Sequence, residues 1–188
     1  MPRLILASRS PQRRTILKQL GVVFSVVVPD IDELISGPPD EVVLENAHRK
    51  ASAVAAGAPE ALVLGVDTVV WAGGRIYGKP SGVDQARKTL QALSGTRHVV
   101  LSGICLIADG RSRTAAARTV VEFRELGPEL ISWYLDSGEW RERAGGYAIQ
   151  GRGAALVAAI EGDYLNVVGL PVATLLELEP GLLASAVA

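Results

Sequence analysis

The chain has 188 residues, 48% of them hydrophobic and 21% charged, and its formal net charge is −1. This composition excludes an intrinsically disordered chain and supplies enough apolar material for a substantial core. The near-zero net charge argues against a broad nucleic-acid-binding surface, which usually accompanies a strongly basic domain.

The cysteine count and the length of the apolar runs indicate the compartment. A single cysteine excludes an internal disulfide and a cysteine-based zinc site, as expected in a reducing environment. The apolar runs are only strand-length, so neither a membrane span nor a signal peptide is expected. We therefore expect a cytoplasmic protein that has no membrane partner.

Predicted strands and helices alternate in the first third of the chain, because apolar residues recur at spacings typical of each. The segments are a buried strand at 3–7, a helix at 11–20, a β-branched strand at 22–28, a helix at 40–56 and a buried strand at 62–66. Ser10 precedes the first helix as a candidate N-cap. Lys50 is expected at the edge of the buried face of the second helix. The last of these strands is expected to end at Asp67 and Thr68.

Glycine-containing turns organise the rest of the chain. Gly73-Gly74 and Asp109-Gly110 are preferred hairpin turns, and each lies between two strand-like segments. The predicted segments are strands at 69–72, 75–77, 98–108, 112–124, 147–149 and 154–160, and helices at 83–93, 128–136 and 173–178. No linker, repeat or low-complexity segment divides the sequence. We therefore predict a single domain over residues 1–188 with an α/β fold, in which a mixed β-sheet has flanking helices.

The turn SRSPQRR, at residues 8–14, combines hydroxyl groups, the amides of a helix start and adjacent arginines. Helix N-terminal amides attract anions, and a guanidinium group adds a bidentate phosphate contact. The pattern fits a phosphate site, and it also fits an ordinary capped helix with solvated arginines. The positions of other charged residues in the chain help to distinguish these two interpretations.

Several charged residues lie after predicted strands and turns or at the edge of a buried helix face. Glu33 follows the second strand, Lys50 borders a helix face, and Lys79 follows a tight hairpin. Side chains at such positions often converge on a ligand in α/β proteins. Asp67 is the most informative of them because it lies within the apolar run VLGVDTVV, where an unpaired carboxylate would be costly.

A series of ordered motifs resembles one known family. LILASRSPQRRTIL resembles the signature of Maf proteins, and GVDTVV, GKP, LSGTRH, GGYAIQGRG and GDYLNVVGLP follow it in the order of the family's later blocks. The resemblance implies a mixed α/β fold with two lobes around a central cleft. It also implies a metal-dependent hydrolase of acid anhydrides, which converts nucleoside triphosphates to monophosphate and pyrophosphate and so removes non-standard nucleotides. A divalent cation, Mg or Mn, is the implied cofactor, and a homodimer is the implied assembly.

The same resemblance assigns roles to particular residues. The counterparts of the residues that line the family's site are Ser8, Arg13, Glu33, Lys50, Asp67, Lys79 and Gln150. The counterpart of Asp67 is the usual proton acceptor. By the chemistry of the reaction, Arg13, Lys50 and Lys79 would neutralise the charge that builds up on the phosphates. Asp67 would deprotonate the attacking water or bind the metal, with Glu33 as a second metal ligand, and the sequence leaves both roles open.

The nucleobase preference is predicted mainly from Gln150. Its uncharged amide complements a pyrimidine edge, Thr68 adds a hydroxyl, and the YAIQG block resembles the dTTP/UTP branch of the family. Ser10 and Gln12 complete the expected substrate contacts, although Gln12 stands where the family has the first arginine of its pair. We therefore predict dTTP and UTP as substrates, with 7-methyl-GTP or another triphosphate as the alternative. The family's link to cell-division arrest leaves another alternative, a nucleotide-binding inhibitor of septum formation.

Two further residues are interpreted as structural. His98 starts a strand, where a histidine usually makes a structural hydrogen bond. Cys105 alternates with apolar neighbours in the same strand and is expected in the core.

Overall fold

The computed structural model describes residues 3–184, and its strands form one mixed sheet. The strands are β1 (Leu4–Ala7), β2 (Phe24–Val27), β3 (Leu62–Ala72), β4 (Arg75–Tyr77), β5 (Arg97–Ala108), β6 (Arg111–Phe123) and β7 (Val157–Glu161). Their order is β2-β1-β3-β5-β6-β7, and β4 pairs with β3. The predicted α/β class with a mixed sheet is confirmed.

The helices follow the sequence signals for helix starts. They are α1 (Pro11–Gln19), α2 (Pro39–Ala55), α3 (Val83–Leu93), α4 (Pro128–Asp136), α5 (Tyr164–Val168) and α6 (Val172–Leu178). A proline stands in the opening turn of α1, α2 and α4, where its missing N–H leaves no helical hydrogen bond unmade. Across residues 3–184, no helix has both the length and the apolar composition needed to cross a membrane.

The chain divides into two compact units that are each assembled from separate stretches of sequence. Of the described residues, the first unit contains 3–67, 102–117 and 169–184, and the second contains 68–101 and 118–168. Three of the long strands, β3, β5 and β6, contribute residues to both units.

The first unit is built around β1. This strand runs parallel to β2 on one side and to β3 on the other, so that Leu4 lies opposite both Phe24 and Leu62. Parallel neighbours require crossover connections, which here contain α1 and α2. A cluster of buried apolar residues joins α2 to the sheet: Ile5, Ala7, Ala47, Ala51, Val54, Val63 and Cys105. The predicted core position of Cys105 is confirmed.

The second unit has the β3–β4 hairpin and a larger core. Gly73 and Gly74 form the predicted turn, with φ angles of 55° and 76° that favour glycine. Buried residues from α3, α4, β6 and the segments between α4 and β7 fill the core, among them Leu90, Leu93, Phe123, Tyr134, Trp140 and Leu156.

Two strand predictions were wrong. β3 does not end at Asp67 but continues to Ala72, because the Asp67 side chain is paired within the protein and leaves the strand backbone undisturbed. The segment 147–149 is irregular, and it follows Gly145 and Gly146, which both have φ near 68°. Alternating apolar residues in that segment therefore reflect burial and not strand pairing. In the segment 154–160, the strand begins only at Val157.

Candidate active site

A partly buried ion cluster in the first unit joins three of the predicted site residues. The Lys50 Nζ atom lies 2.6 Å from Asp67 Oδ1 and 2.9 Å from Glu33 Oε1. The side chains of Lys50 and Asp67 are 9% and 8% exposed, whereas that of Glu33 is 48% exposed. A buried carboxylate is costly without a partner, so Lys50 stabilises Asp67 in its apolar strand. Glu33 forms the solvent-accessible side of the cluster.

The close approach of α2 to β3 brings these side chains together. A Cβ atom at Gly65 would lie only 2.2 Å from the Ala47 carbonyl oxygen, so the helix backbone rests directly on the strand. Asp67 lies two residues beyond Gly65 and thus within reach of α2. Lys50 is 7% exposed and lies within the buried face of α2, not at its edge as predicted. Its ammonium group is stabilised there by the two carboxylates.

A buried amide, Asn46, holds the other oxygen of Asp67. Asn46 Nδ2 donates to Asp67 Oδ2 at 3.0 Å and to the Leu34 carbonyl at 3.0 Å, and Asn46 Oδ1 accepts the Leu34 N–H at 2.7 Å. Asn46 and Lys50 lie one helical turn apart on α2, so they approach Asp67 from the same face. Both oxygens of Asp67 therefore receive a hydrogen bond from α2.

Arg13 is the second buried cation of this unit. Its Nε donates to the Gly169 carbonyl at 2.9 Å, and its Nη1 donates to Ser8 Oγ at 3.0 Å and to the Val66 carbonyl at 2.8 Å. Burial lowers the pKa of Arg13, and the negative charges of Asp67 and Glu33 oppose that shift. These contacts fix the guanidinium group beside β3. Its contact with a phosphate group stays a prediction.

The turn before α1 uses its hydroxyl groups locally. Ser10 occupies the predicted N-cap position, but its hydroxyl donates to Gln12 Oε1 at 3.0 Å and does not cap the helix amides. The Ser10 N–H donates to Ser8 Oγ at 3.2 Å. Because Ser10 does not satisfy the first amides of α1, the turn retains the features of an anion site.

Three predicted site residues belong to the second unit. The Lys79 Nζ atom lies 2.9 Å from Glu142 Oε2, and both side chains are largely exposed. Thr68 follows Asp67 on β3 and is half-buried, and Gln150 is exposed. Lys79 and Gln150 are thus accessible to a ligand.

Two side chains fix the backbone around Gln150. The Tyr134 hydroxyl accepts the Ala148 N–H at 2.9 Å, and Glu139 Oε2 accepts the Gly153 N–H at 3.4 Å. A Cβ atom at Gly151 would lie 2.5 Å from the Glu139 carboxylate oxygens, so the carboxylate sits directly against this turn. The exposed Gln150 side chain therefore projects from a supported backbone.

His98 is 1% exposed and has a structural role, as predicted. Its Nε2 hydrogen-bonds the Tyr147 hydroxyl at 2.9 Å, and its ring meets Phe123 edge-on at a centroid distance of 4.8 Å. Burial lowers the pKa of His98 from 6.5 to about 4. The imidazole is therefore neutral at pH 7.

Comparison with protein families decides the assignment of the sequence. A family model described as "Maf-like protein" matches residues 3–179. The chain belongs to the Maf family. The match includes the turn before α1, the ion cluster of Asp67 and the turn that carries Gln150.

Curated proteins from several organisms resemble the chain over almost their whole length. The dTTP/UTP pyrophosphatase of Symbiobacterium thermophilum is 47% identical over 173 residues, which is 91% of this chain and 89% of that protein. Proteins of the same name from Pyrococcus furiosus and Moorella thermoacetica are 43% and 47% identical over 182 residues. Each of these two alignments covers 95% of this chain and 94% of the relative.

The divalent cation implied by the Maf resemblance needs hard oxygen ligands. Glu33 and Asp67 supply two carboxylates that converge on one cationic point, since an oxygen of each lies within 2.9 Å of Lys50 Nζ. In the part of the chain that the structure describes, no three His, Cys, Asp or Glu side chains are grouped to hold a metal ion. Mg usually takes one or two carboxylates and completes its shell with substrate phosphates and water. The pair therefore fits a metal that binds together with a nucleotide.

Within this Maf-family chain, the structure assembles most of the predicted phosphate-site residues in the first unit. These residues are Ser8, Ser10, Gln12, Arg13, Glu33, Lys50 and Asp67. Asn46 was not predicted. The signal for it was a polar residue one turn before Lys50 on a helix face whose other members, such as Ala47 and Ala51, are apolar.

Proposed function

We propose that the chain hydrolyses dTTP and UTP to the nucleoside monophosphate and pyrophosphate. The observation that carries this proposal is the cluster of Asp67, Lys50 and Glu33, in a chain that matches proteins named dTTP/UTP pyrophosphatase over at least 91% of its length. A buried carboxylate held by an ammonium group, next to a more exposed carboxylate, supplies groups suited to phosphoanhydride hydrolysis.

The proposed reaction is attack by water on the α-phosphorus. The water oxygen bonds to phosphorus, the bond to the oxygen bridging to the β-phosphate breaks, and pyrophosphate leaves with additional negative charge. Asp67 either takes the water proton or binds the metal. Arg13 and Lys50 supply positive charge beside Asp67. In this proposal, Lys79 contacts a phosphate group and Gln150 contacts the base.

We also propose Mg or Mn as the cofactor, held by Glu33 and Asp67. When bound, such an ion neutralises phosphate charge and acidifies a coordinated water. What supports the proposal is that an oxygen of each carboxylate contacts the same cationic group, Lys50 Nζ, at 2.9 and 2.6 Å. Hydrolysis is expected to require added Mg or Mn and to stop when the metal is removed with a chelator.

A nucleotide panel tests the substrate proposal. The purified protein is incubated with dTTP, UTP, CTP and 7-methyl-GTP in the presence of Mg or Mn, and initial rates of pyrophosphate release are compared. We expect dTTP and UTP to give the highest kcat/KM. Faster hydrolysis of 7-methyl-GTP would reassign the base specificity, and no pyrophosphate from any triphosphate would exclude the function.

A further inference from the structure

Asn46 is a buried polar side chain that none of the predicted roles includes. It is 2% exposed, and both N–H groups of its amide are used, one by Asp67 Oδ2 and one by the Leu34 carbonyl. Its oxygen accepts the Leu34 N–H at 2.7 Å. A buried amide with this many partners specifies the position of every group that it touches.

The two bonds to Leu34 fix the loop that carries Glu33. Leu34 lies outside helices and strands, and its N–H and carbonyl both bond the same side chain. This two-point contact restrains the backbone directly next to Glu33, whose carboxylate lies 2.9 Å from Lys50 Nζ. These two bonds therefore hold the loop against α2 directly beside Glu33, whose carboxylate belongs to the ion cluster.

The bond to Asp67 fixes the orientation of that carboxylate. Lys50 holds Oδ1 at 2.6 Å, and Asn46 holds Oδ2 at 3.0 Å. Rotation of the carboxylate would break both contacts. Glu33 and Arg13 are further charged groups beside this site, since Glu33 shares Lys50 with Asp67 and the charge of Asp67 acts on Arg13.

We infer that Asn46 is a positioning residue, which holds the Asp67 carboxylate and the Glu33 loop in a single arrangement for the reaction. The inference rests on the proposed hydrolysis of dTTP and UTP. Asn46 itself does not need to touch the nucleotide. Its loss should therefore lower kcat far more than it raises KM.

Two substitutions separate the two tasks of Asn46. Asn46→Leu has a similar volume but removes all three hydrogen bonds. Asn46→Asp keeps an acceptor for the Leu34 N–H, loses both donors, and places a carboxylate beside Asp67. We expect both variants to lower kcat by about 10- to 100-fold, the usual effect of losing a partner that orients a site ligand. KM should change by less than about threefold.

Hydrogen exchange at the Leu34 amide gives a readout that does not depend on activity. Exchange should be at least about tenfold faster in Asn46→Leu than in the wild type, because the amide loses its acceptor. It should stay close to the wild-type rate in Asn46→Asp. Ala53→Asp is the matched control, since it adds the same charge at an exposed position of α2 and should leave both kcat and Leu34 exchange unchanged.

The two proposals fail in different ways. A wild-type protein that releases no pyrophosphate from dTTP or UTP would exclude the proposed function, while unchanged Leu34 exchange in Asn46→Leu would exclude the restraint by Asn46. If the wild type is active, kcat values in both Asn46 variants equal to that of Ala53→Asp would overturn the inference. If Asn46→Asp does not fold, Asn46→Leu still decides it through kcat and Leu34 exchange.

Discussion

Lys50 allows a carboxylate to occupy the middle of a buried strand. Asp67 is 5% exposed within β3, and its charge is compensated by the ammonium group at 2.6 Å. Removing one member of a buried pair leaves an uncompensated charge, which usually costs about 3–5 kcal/mol. The pair between Lys79 and Glu142 has similar geometry at 2.9 Å, but both of its side chains are at least half exposed. Exposed pairs contribute little to stability.

This contrast predicts different effects for two equivalent substitutions. Lys50→Met should lower the free energy of unfolding by about 3 kcal/mol or more, whereas Lys79→Met should change it by less than about 0.5 kcal/mol. Denaturant unfolding at pH 7 measures both. The double variant Lys50→Met/Asp67→Asn should be more stable than Lys50→Met, because it no longer buries an unpaired charge. Equal losses in Lys50→Met and Lys79→Met would contradict the role of burial.

His98 makes the stability of the protein depend on pH. Its pKa is about 4 in the folded protein because of burial, compared with 6.5 for an exposed histidine. The unfolded chain therefore binds a proton at this residue as the pH falls through 6.5, while the folded protein does so only near pH 4. Stability from this source is complete above pH 6.5 and declines between pH 6.5 and 4.

A variant without the imidazole isolates this effect. Between pH 7 and pH 4, the wild type should lose about 3 kcal/mol of unfolding free energy relative to His98→Gln, from a pKa difference of about 2.5 at 1.36 kcal/mol per unit. Chemical unfolding at several pH values measures the unfolding free energy of both proteins. The titration of other groups largely cancels when the value for His98→Gln is subtracted from that of the wild type. Parallel stability curves for the two proteins would show that His98 is not held neutral by burial.

At the scale of elements, two glycines let α2 lie directly on the sheet. A Cβ atom at Gly65 on β3 would meet the Ala47 carbonyl at 2.2 Å, and one at Gly103 on β5 would meet the Val43 carbonyl at 2.3 Å. Both contacts are with helix backbone, which cannot move aside without shifting α2. The arrangement of Asn46 and Lys50 over Asp67 depends on this spacing.

Gly65→Ala should therefore affect both stability and activity. The added methyl group forces α2 away from β3, at a cost of about 1–3 kcal/mol for overpacking a core. It should also lower kcat, since the Lys50 and Asn46 contacts with Asp67 lengthen. Gly57→Ala is the control, because its Cβ atom would meet only the Val54 carbonyl, at 3.9 Å. Thermal unfolding and steady-state rates measure both variants. Equal stability and equal kcat in Gly65→Ala and Gly57→Ala would show that the close contact of α2 with Gly65 is not required.

Most element boundaries were predictable from local signals, and the exceptions have physical causes. The start of α1 was given by Pro11 and the β5–β6 turn by Asp109-Gly110, where both residues have positive φ. The strand was predicted to end at Asp67 because this charged residue interrupts an apolar run. Its partners lie 17 and 21 positions away on α2, beyond the range of any local pattern.

At the scale of the whole molecule, the sequence identified the charged residues of the site better than the contacts among them. Glu33, Lys50 and Asp67 were predicted from their positions in the chain and as counterparts of the family's site residues, and the structure places all three within one cluster. Asn46 was missed because its hydrogen bonds are made with the Leu34 backbone and with Asp67. Only folding brings these groups close to Asn46. The same holds for Arg13, whose burial and backbone partners have no signature in the SRSPQRR motif.

The proposed function requires Asp67 and its partners for the release of pyrophosphate from a pyrimidine nucleoside triphosphate. The most direct measurement is the product ratio and rate from dTTP with Mg, for the wild type and Asp67→Asn. The wild type should yield one pyrophosphate for each dTMP with no dTDP, and Asp67→Asn should be slower by at least about 100-fold, within the usual range for losing a general acid or base. Formation of dTDP and single phosphate would contradict the proposed reaction. An undiminished rate in Asp67→Asn would contradict the role of Asp67 in it.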